Sequence, residues 1–377
     1  MSTPSTPPRV RFAMISSDIR RDLVEPLRHF TRLAITHFYR RASYGDLTAD
    51  ELADHLIPYR GPLDLYGRLH SARPEIVQGV EPFAVRLLPY LLAGWQAARR
   101  LHAALLIVAL ENRPLPIKHG PVTARLLRLV LRPVFRDARL IVPLNAGAAR
   151  NVLTVGPYND KIQRLMYGTW GVDLAAFTPQ RDGREPDFGS GPIILYVGRL
   201  HPEKGLFDLL NAFALVKARM AQARLVLVGD GPARSAVEQR VQEHGWHDAV
   251  RLTGTVKHRD LPPYFRAAEL FVAPSITTPK WEEQVGMTNI QAMACGVPVV
   301  STHSGAIPEY VPDGKAGLLV PERDPQALAD ALLTLLNDPA LRYRLGQGGR
   351  LYAEAHYSAV ANIRQAEAVI LQRCLGL

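Results

Sequence analysis

Short runs of β-branched and aliphatic residues alternate with stretches of helical period along most of the chain, which predicts strands joined by helices. In the first half, Val10 to Ile15, Ala34 to Phe38, Ile76 to Gln78, Leu105 to Ala109, Leu140 to Val142 and Ile162 to Met166 read as strands. Helical patterns between most of them point to a parallel sheet covered on both faces. The second half repeats the layout, with strands near Ile193 to Val197, Arg224 to Val228, Val250 to Leu252, Leu270 to Ala273, Val297 to Ser301 and Gly317 to Val320. Between the halves, Thr178 to Pro192 turns to Pro, Gly, Asp and Arg without periodicity, as a linker does. The pattern therefore divides the chain into a domain at 1–178, a linker at 179–192, a second domain at 193–357 and a last helix at 358–377. Ser358 is the expected N-cap of that helix, which runs to about Leu375.

Composition fits two cores, since 377 residues with 47% hydrophobic content exceed what one core usually holds. The two cysteines, Cys295 and Cys374, have no His or Cys partners at metal spacing, so neither a disulfide framework nor a zinc site is expected. A reducing compartment fits best. Met1 to Pro8 is polar and Pro-rich rather than signal-like, and the most apolar stretch, Leu101 to Leu110, is about half the span a bilayer requires. A cytoplasmic protein is the expectation.

Candidate chemistry collects at strand ends. Gly198-Arg199 follows the apolar run Ile193 to Val197, Lys204 lies five positions beyond the Arg, and a helical pattern opens at Leu206. Ligands bind at such carboxyl ends of parallel strands. Arg offers a planar fork for phosphate oxygens and Lys a mobile point charge, a pair suited to a diphosphate. Glu203 between them is the partner in the plainer reading, a solvated surface ion pair. An acidic piece, Glu283-Gln284-Val285-Gly286-Met287, is expected on the far side of the same pocket, followed by the helix and strand of Gln291 to Val300.

These pieces, with the turn Val228 to Pro232 and the run from Ser304 through Glu309 to Pro321, resemble the family 4 retaining glycosyltransferases of the GT-B fold. The resemblance covers essentially the C-terminal half and, more weakly, the N-terminal half. It implies two doubly wound Rossmann-like α/β domains facing a cleft, with the last helix crossing back to the N-terminal domain. It also implies a nucleoside-diphosphate sugar as donor substrate, retention at the anomeric carbon, and neither cofactor nor metal. Arg199 and Lys204 would contact the diphosphate, and Glu283, first carboxylate of the E-x7-E pattern, would hold donor-sugar hydroxyls. Gly198, Gly286, Met287 and Thr288 would complete the donor site around a helix N-terminus. The base would lie against the turn Thr253 to Lys257, at Val256. At the second carboxylate position, which in the family holds the ribose, this chain has Gln291. An amide keeps an acceptor oxygen but forgoes a charge-assisted bond, so a weaker or differently selective donor site is expected.

The N-terminal half departs further. Its first strand leads into Ser16-Ser17-Asp18-Ile19-Arg20-Arg21 in place of a Gly-rich loop, and a common His is absent from Ile76 to Pro82. Glu81 and Glu111 are candidates to take the acceptor proton, against the commoner role of a loop carboxylate as cap or ion-pair partner. Trp170 stands where the family turn has Asn, to stack on a sugar or to seal the cleft. Residues 1–188 carry 26 Lys+Arg against 17 Asp+Glu, nearly all of the formal net charge of +10. Arg125, Arg128, Arg132, Arg136 and Arg139 recur at helical spacing among Leu126, Leu127, Leu129, Val130, Leu131 and Val134, with Pro133 expected to kink the helix. Such a stretch either seats a protein on anionic lipid or solvates an Arg face over a buried Leu face. No motif supports nucleic acid as a partner. The expected partners are a nucleotide sugar and a sugar or lipid-linked acceptor. The competing functions are a GT-B epimerase acting on a nucleotide sugar and a catalytically silent binding or partner protein.

Overall fold

The computed structural model describes residues 9–42, 47 and 55–377; the Met1 to Pro8 segment lies outside them. The chain forms two units, one of residues 1–170 with 359–377 and one of residues 171–358. In the N-terminal unit the strands are β1 Val10–Ser16, β2 Leu33–Tyr39, β3 Leu56–Pro58, β4 Ile76–Gln78, β5 Ala104–Ala109 and β6 Ala138–Pro143. They make one parallel sheet in the order β3-β2-β1-β4-β5-β6. In the C-terminal unit they are β7 Ile193–Val197, β8 Arg224–Val228, β9 Val250–Gly254, β10 Leu270–Ala273, β11 Val299–Thr302 and β12 Gly317–Val320. Their order, β12-β11-β10-β7-β8-β9, is again all parallel. Both are doubly wound sheets whose strand order reverses once, at β1/β4 and at β7/β10.

Strand runs that are apolar on successive positions can be covered on both sides, and all five residues of β7 are buried. Apolar side chains from the flanking helices close each core, for example Leu91, Leu127 and Leu131 in the first unit and Leu209, Phe213 and Leu332 in the second. Helix starts are fixed locally. Asn145, Asp324 and Asp338 each accept a backbone N–H from three residues on, at 2.7, 2.9 and 2.9 Å.

Three strand expectations change. Ile162 to Met166 is not a strand: Ile162 makes a single bridge to Ile141 at the edge of the sheet, and the chain then leaves it. The short edge strand β3 was not expected, because three residues ending in Pro58 carry no readable period. β11 begins at Val299 rather than Val297, after Pro298.

The division between units falls at Trp170/Gly171 rather than at 178. The 179–192 stretch carries no helix or strand, yet it is fastened to the C-terminal unit. The buried Arg266 guanidinium bridges Asp182 at 2.6 Å and Glu185 at 2.7 Å. The last helix, Ala359–Leu375, belongs to the N-terminal unit, where Ile363, Ala366, Ile370 and Leu371 are buried. Its Glu367 accepts the main-chain N–H groups of Thr31, Arg32 and Leu33 at 2.9, 2.7 and 2.9 Å, and the Thr31 hydroxyl at 2.8 Å. Among the described residues no helix is long and apolar enough to cross a membrane.

Candidate functional site

The reversal at β7/β10 brings together the two loops that carry the candidate chemistry of the C-terminal unit. Lys204 ends a short 3-10 turn after β7, and Gly205 follows at φ +70°. A Cβ at Gly205 would sit 1.8 Å from the carbonyl oxygen of Pro274, so only glycine lets this loop approach the end of β10. That approach places the Lys204 ammonium 2.7 Å from Glu283 Oε2. The Ser275 hydroxyl donates to the same carboxylate oxygen at 2.8 Å. Glu283 therefore does not lie across the pocket from the cations, as its sequence position had suggested; it is an ion-pair partner of one of them. Both side chains are largely buried, 18% and 15% exposed, where such a pair is far less screened than at the surface.

Arg199 behaves differently. Its guanidinium is 58% exposed and reaches Glu203 at 3.4 Å, a loose surface pair that leaves it able to turn toward a ligand. Gly198 lies against the neighbouring loop, since a Cβ on Gly229 would meet the Gly198 carbonyl oxygen at 1.9 Å. Gly286, at φ +76°, opens the helix Met287–Ala294, which no side chain caps. The Asn289 N–H binds the Gly286 carbonyl at 2.9 Å, and the amides of Met287 and Thr288 before it have no carbonyl within the helix to bind. Val256 is half-buried in the turn after β9, where Gly254 takes φ +74°.

Gln291 is buried on the same helix, with its amide nitrogen 3.1 Å from His258 Nε2. The His258 ring in turn packs on Phe177 at 5.3 Å. The Gln291 carbonyl oxygen is buried without a hydrogen-bond partner, as an acceptor kept for a ligand would be.

In the N-terminal unit a cavity of about 250 Å³ lies at the β1/β4 reversal, lined by Ser16, Ser17, Asp18, Gln78, Glu81 and Tyr167 among others. Strand-order reversals are where open α/β sheets take ligands. Glu81 accepts the main-chain N–H groups of Phe83 at 3.1 Å and Leu110 at 2.6 Å. Burial nevertheless pushes its carboxyl up to about 7, with the nearby Glu111 adding to the rise. Glu111 itself is buried and committed, paired with Lys118 and accepting the Arg113 N–H at 3.0 Å, so it holds the 110–113 turn instead of facing a ligand. Trp170 is also reassigned. It is fully buried at φ +56°, donates its indole N–H to the Leu23 carbonyl at 3.1 Å, and packs against Tyr167 and Phe30. A ring enclosed in this way has no face left for a sugar.

Residues 191–338 match the family described as Glycosyl transferases group 1. The match is confined to the C-terminal unit. Similar curated proteins include an alpha-D-kanosaminyltransferase of Streptomyces kanamyceticus, 34% identical over 45% of this chain and 43% of its own length. A GDP-mannose-dependent alpha-(1-6)-phosphatidylinositol monomannoside mannosyltransferase of Mycolicibacterium smegmatis is 33% identical over 48% and 50%. The chain thus spans about half the length of the curated relatives it matches. Solved structures extend the likeness of fold to nearly all of it. HepE of Anabaena, in complex with UDP, superposes with a TM-score of 0.77 over 96% of this chain and 99% of its own at 16% identity. Sucrose-phosphate synthase of Thermosynechococcus elongatus gives 0.76 over 97% and 99% at 22%. The fold is that of the GT-B glycosyltransferases, with its two Rossmann-like domains.

Ser275 and His258, together with Trp281, whose ring lies 4.5 Å from the Lys204 ammonium, are residues of the candidate site that the sequence reading passed over. Ser275 and His258 had no readable signal. Trp281 had one, an aromatic two positions before the acidic residue of the motif.

Proposed function

We propose that this chain transfers a sugar from a nucleoside-diphosphate sugar bound by the C-terminal unit to a sugar or lipid-linked acceptor bound by the N-terminal unit, with retention and without metal. The observation that carries the reading is the Lys204 and Glu283 pair at the β7/β10 reversal of a group 1 glycosyltransferase domain. As the bond between anomeric carbon and phosphate breaks, charge grows on the leaving diphosphate. Lys204, Arg199 turned from Glu203, and the amides opening the Met287 helix can answer that charge, which is why no metal is required. Glu283, released from Lys204, accepts donor-sugar hydroxyls and orients the anomeric carbon. The Gln291 carbonyl oxygen takes a ribose hydroxyl. The acceptor oxygen attacks the face the diphosphate leaves, and its proton goes to the departing phosphate or to Glu81, whose raised carboxyl suits proton transfer near neutrality.

The acceptor half also carries a surface suited to anionic lipid. On the helix Pro121–Asp137, Val122, Leu126, Leu129 and Val130 are exposed beside Arg125, Arg132 and Arg136. We include peripheral membrane contact in the proposal on that ground.

Incubating the protein with UDP, GDP and ADP sugars and an acceptor panel, with and without a chelator, tests the reading, and the anomeric configuration of the product tests retention. Lys204→Ala is expected to lower transfer at least about a hundredfold, as loss of one transition-state charge partner does. An unchanged rate would remove the diphosphate role.

A further inference from the structure

The Lys204 ammonium has a second neighbour that the transfer reading leaves unused. The indole ring of Trp281 lies beneath it, 4.5 Å from ring centroid to nitrogen, while Glu283 Oε2 lies 2.7 Å away. The loop that presents the ring is fixed at several points. Thr278 and Trp281 close a turn on each other, with the Thr278 N–H on the Trp281 carbonyl at 2.8 Å and the Trp281 N–H on the Thr278 hydroxyl at 3.0 Å. One residue earlier, Thr277 gives its hydroxyl to Glu322 at 2.7 Å, and its carbonyl accepts from Arg323 at 2.7 Å. Arg323 holds φ +59° to make that reach. A ring on such a loop is a fixed platform.

Resting on the transfer reading, we infer that Trp281 is a positioning residue that keeps the Lys204 ammonium at the donor site while its partner changes from the Glu283 carboxylate to a diphosphate. The exchange poses a physical problem. When Glu283 turns to sugar hydroxyls, Lys204 loses its ion pair, and a free lysine regains its rotamer freedom by leaving the site. A carboxylate that held it more tightly would compete with the diphosphate for its N–H groups. An aromatic face attracts the cation through its quadrupole and takes up none of its directional hydrogen bonds, so the ammonium stays in place with its donors available. Ser275 assists from the other side, since its hydroxyl gives Glu283 Oε2 a hydrogen bond that does not involve Lys204.

Because a cation over a ring is held best by Trp, less by Phe and not by an alkyl chain, the test compares Trp281→Phe with Trp281→Leu. UDP, GDP, ADP and dTDP are titrated calorimetrically into the unmodified protein, and the tightest binder is carried forward with its monophosphate. Trp281→Leu is expected to weaken the diphosphate about tenfold, the effect of about 1.4 kcal/mol. Trp281→Phe should stay within about threefold of the parent, and the monophosphate within about twofold in both variants. In a Lys204→Ala background, Trp281→Leu should change nothing further, because the ring then has no cation to hold. Equal losses in Leu and Phe, or an undiminished Leu effect without Lys204, would mean that the ring only packs the loop, and no loss in Leu would end the inference. If no diphosphate binds the unmodified protein, the donor site itself fails and this role with it.

Discussion

Gln291 is where the chain departs at a single atom from the family it resembles, and the surroundings are built to accept the change. A carboxylate at this buried position would need a positive partner, whereas the amide pairs with the His258 ring 3.1 Å away and leaves its carbonyl oxygen without a protein partner. Gln291→Glu is expected to tighten nucleoside-diphosphate binding about fivefold in a calorimetric titration, the margin between a charged and a neutral acceptor. Weaker binding would show a pocket shaped around an amide. A second residue sets a pH limit on the N-terminal unit. His37 is fully buried, its Nε2 lies 2.8 Å from the Ser16 hydroxyl, and burial lowers its pKa to about 4. The folded protein keeps this ring neutral while the unfolded chain protonates it below its ordinary value near 6.5, so between about 6.5 and 4 the unfolded state binds more protons. Stability should therefore fall with pH across that window, by about 3 kcal/mol from this group. Denaturant titrations from pH 4 to 8 should show that slope in the parent and a shallower one in His37→Gln.

The helix Pro121–Asp137 shows what a linear pattern conveys about an element and what it omits. Its arginines at spacings of three and four were legible as a basic face, and its leucines as an apolar one. The leucines belong, however, to two surfaces: Leu127 and Leu131 face the core with Val134 and Phe135, while Leu126, Leu129 and Val130 face solvent. Periodicity cannot tell how wide a strip the core will cover, because that depends on neighbours distant in sequence. The helix runs on through Pro133. The same limit explains the candidate site. Strand ends and loop glycines at 198, 205 and 286 could be read locally. The Lys204 and Glu283 contact joins positions 79 apart, and only the strand order makes it. Trp170, expected from its motif position to stack on a sugar or to seal the cleft, is enclosed in the N-terminal core. For the helix, Leu126→Asp with Leu129→Asp should abolish cosedimentation with vesicles containing anionic phospholipid while leaving the melting temperature and diphosphate binding unchanged. Retained cosedimentation would assign the exposed leucines no part in lipid contact.

Chain connectivity gives the whole molecule an asymmetry that its two similar sheets conceal. The C-terminal unit is one continuous stretch, 171–358, whereas the N-terminal unit needs residues 359–377 to be complete. Besides the apolar face of Ile363, Ala366, Ile370 and Leu371, one buried carboxylate ties that returning helix down. Glu367, 5% exposed, satisfies three successive amides at the entrance to β2 together with the Thr31 hydroxyl. Removing it leaves several buried donors unpaired at once, so Glu367→Ala should cost about 3–5 kcal/mol. The loss should be confined to the unit that owns the contact. In denaturant titrations followed by hydrogen exchange, amides of β1 and β2 should open earlier in Glu367→Ala, while those of β7 and β8 keep their protection. Diphosphate affinity, which the proposed function assigns to Lys204 and the Met287 helix, should be unchanged. If protection in β7 falls together with that in β1, the two units unfold as one cooperative body, and the chain would be stabilised as a whole by an anchor that makes all its contacts in one half.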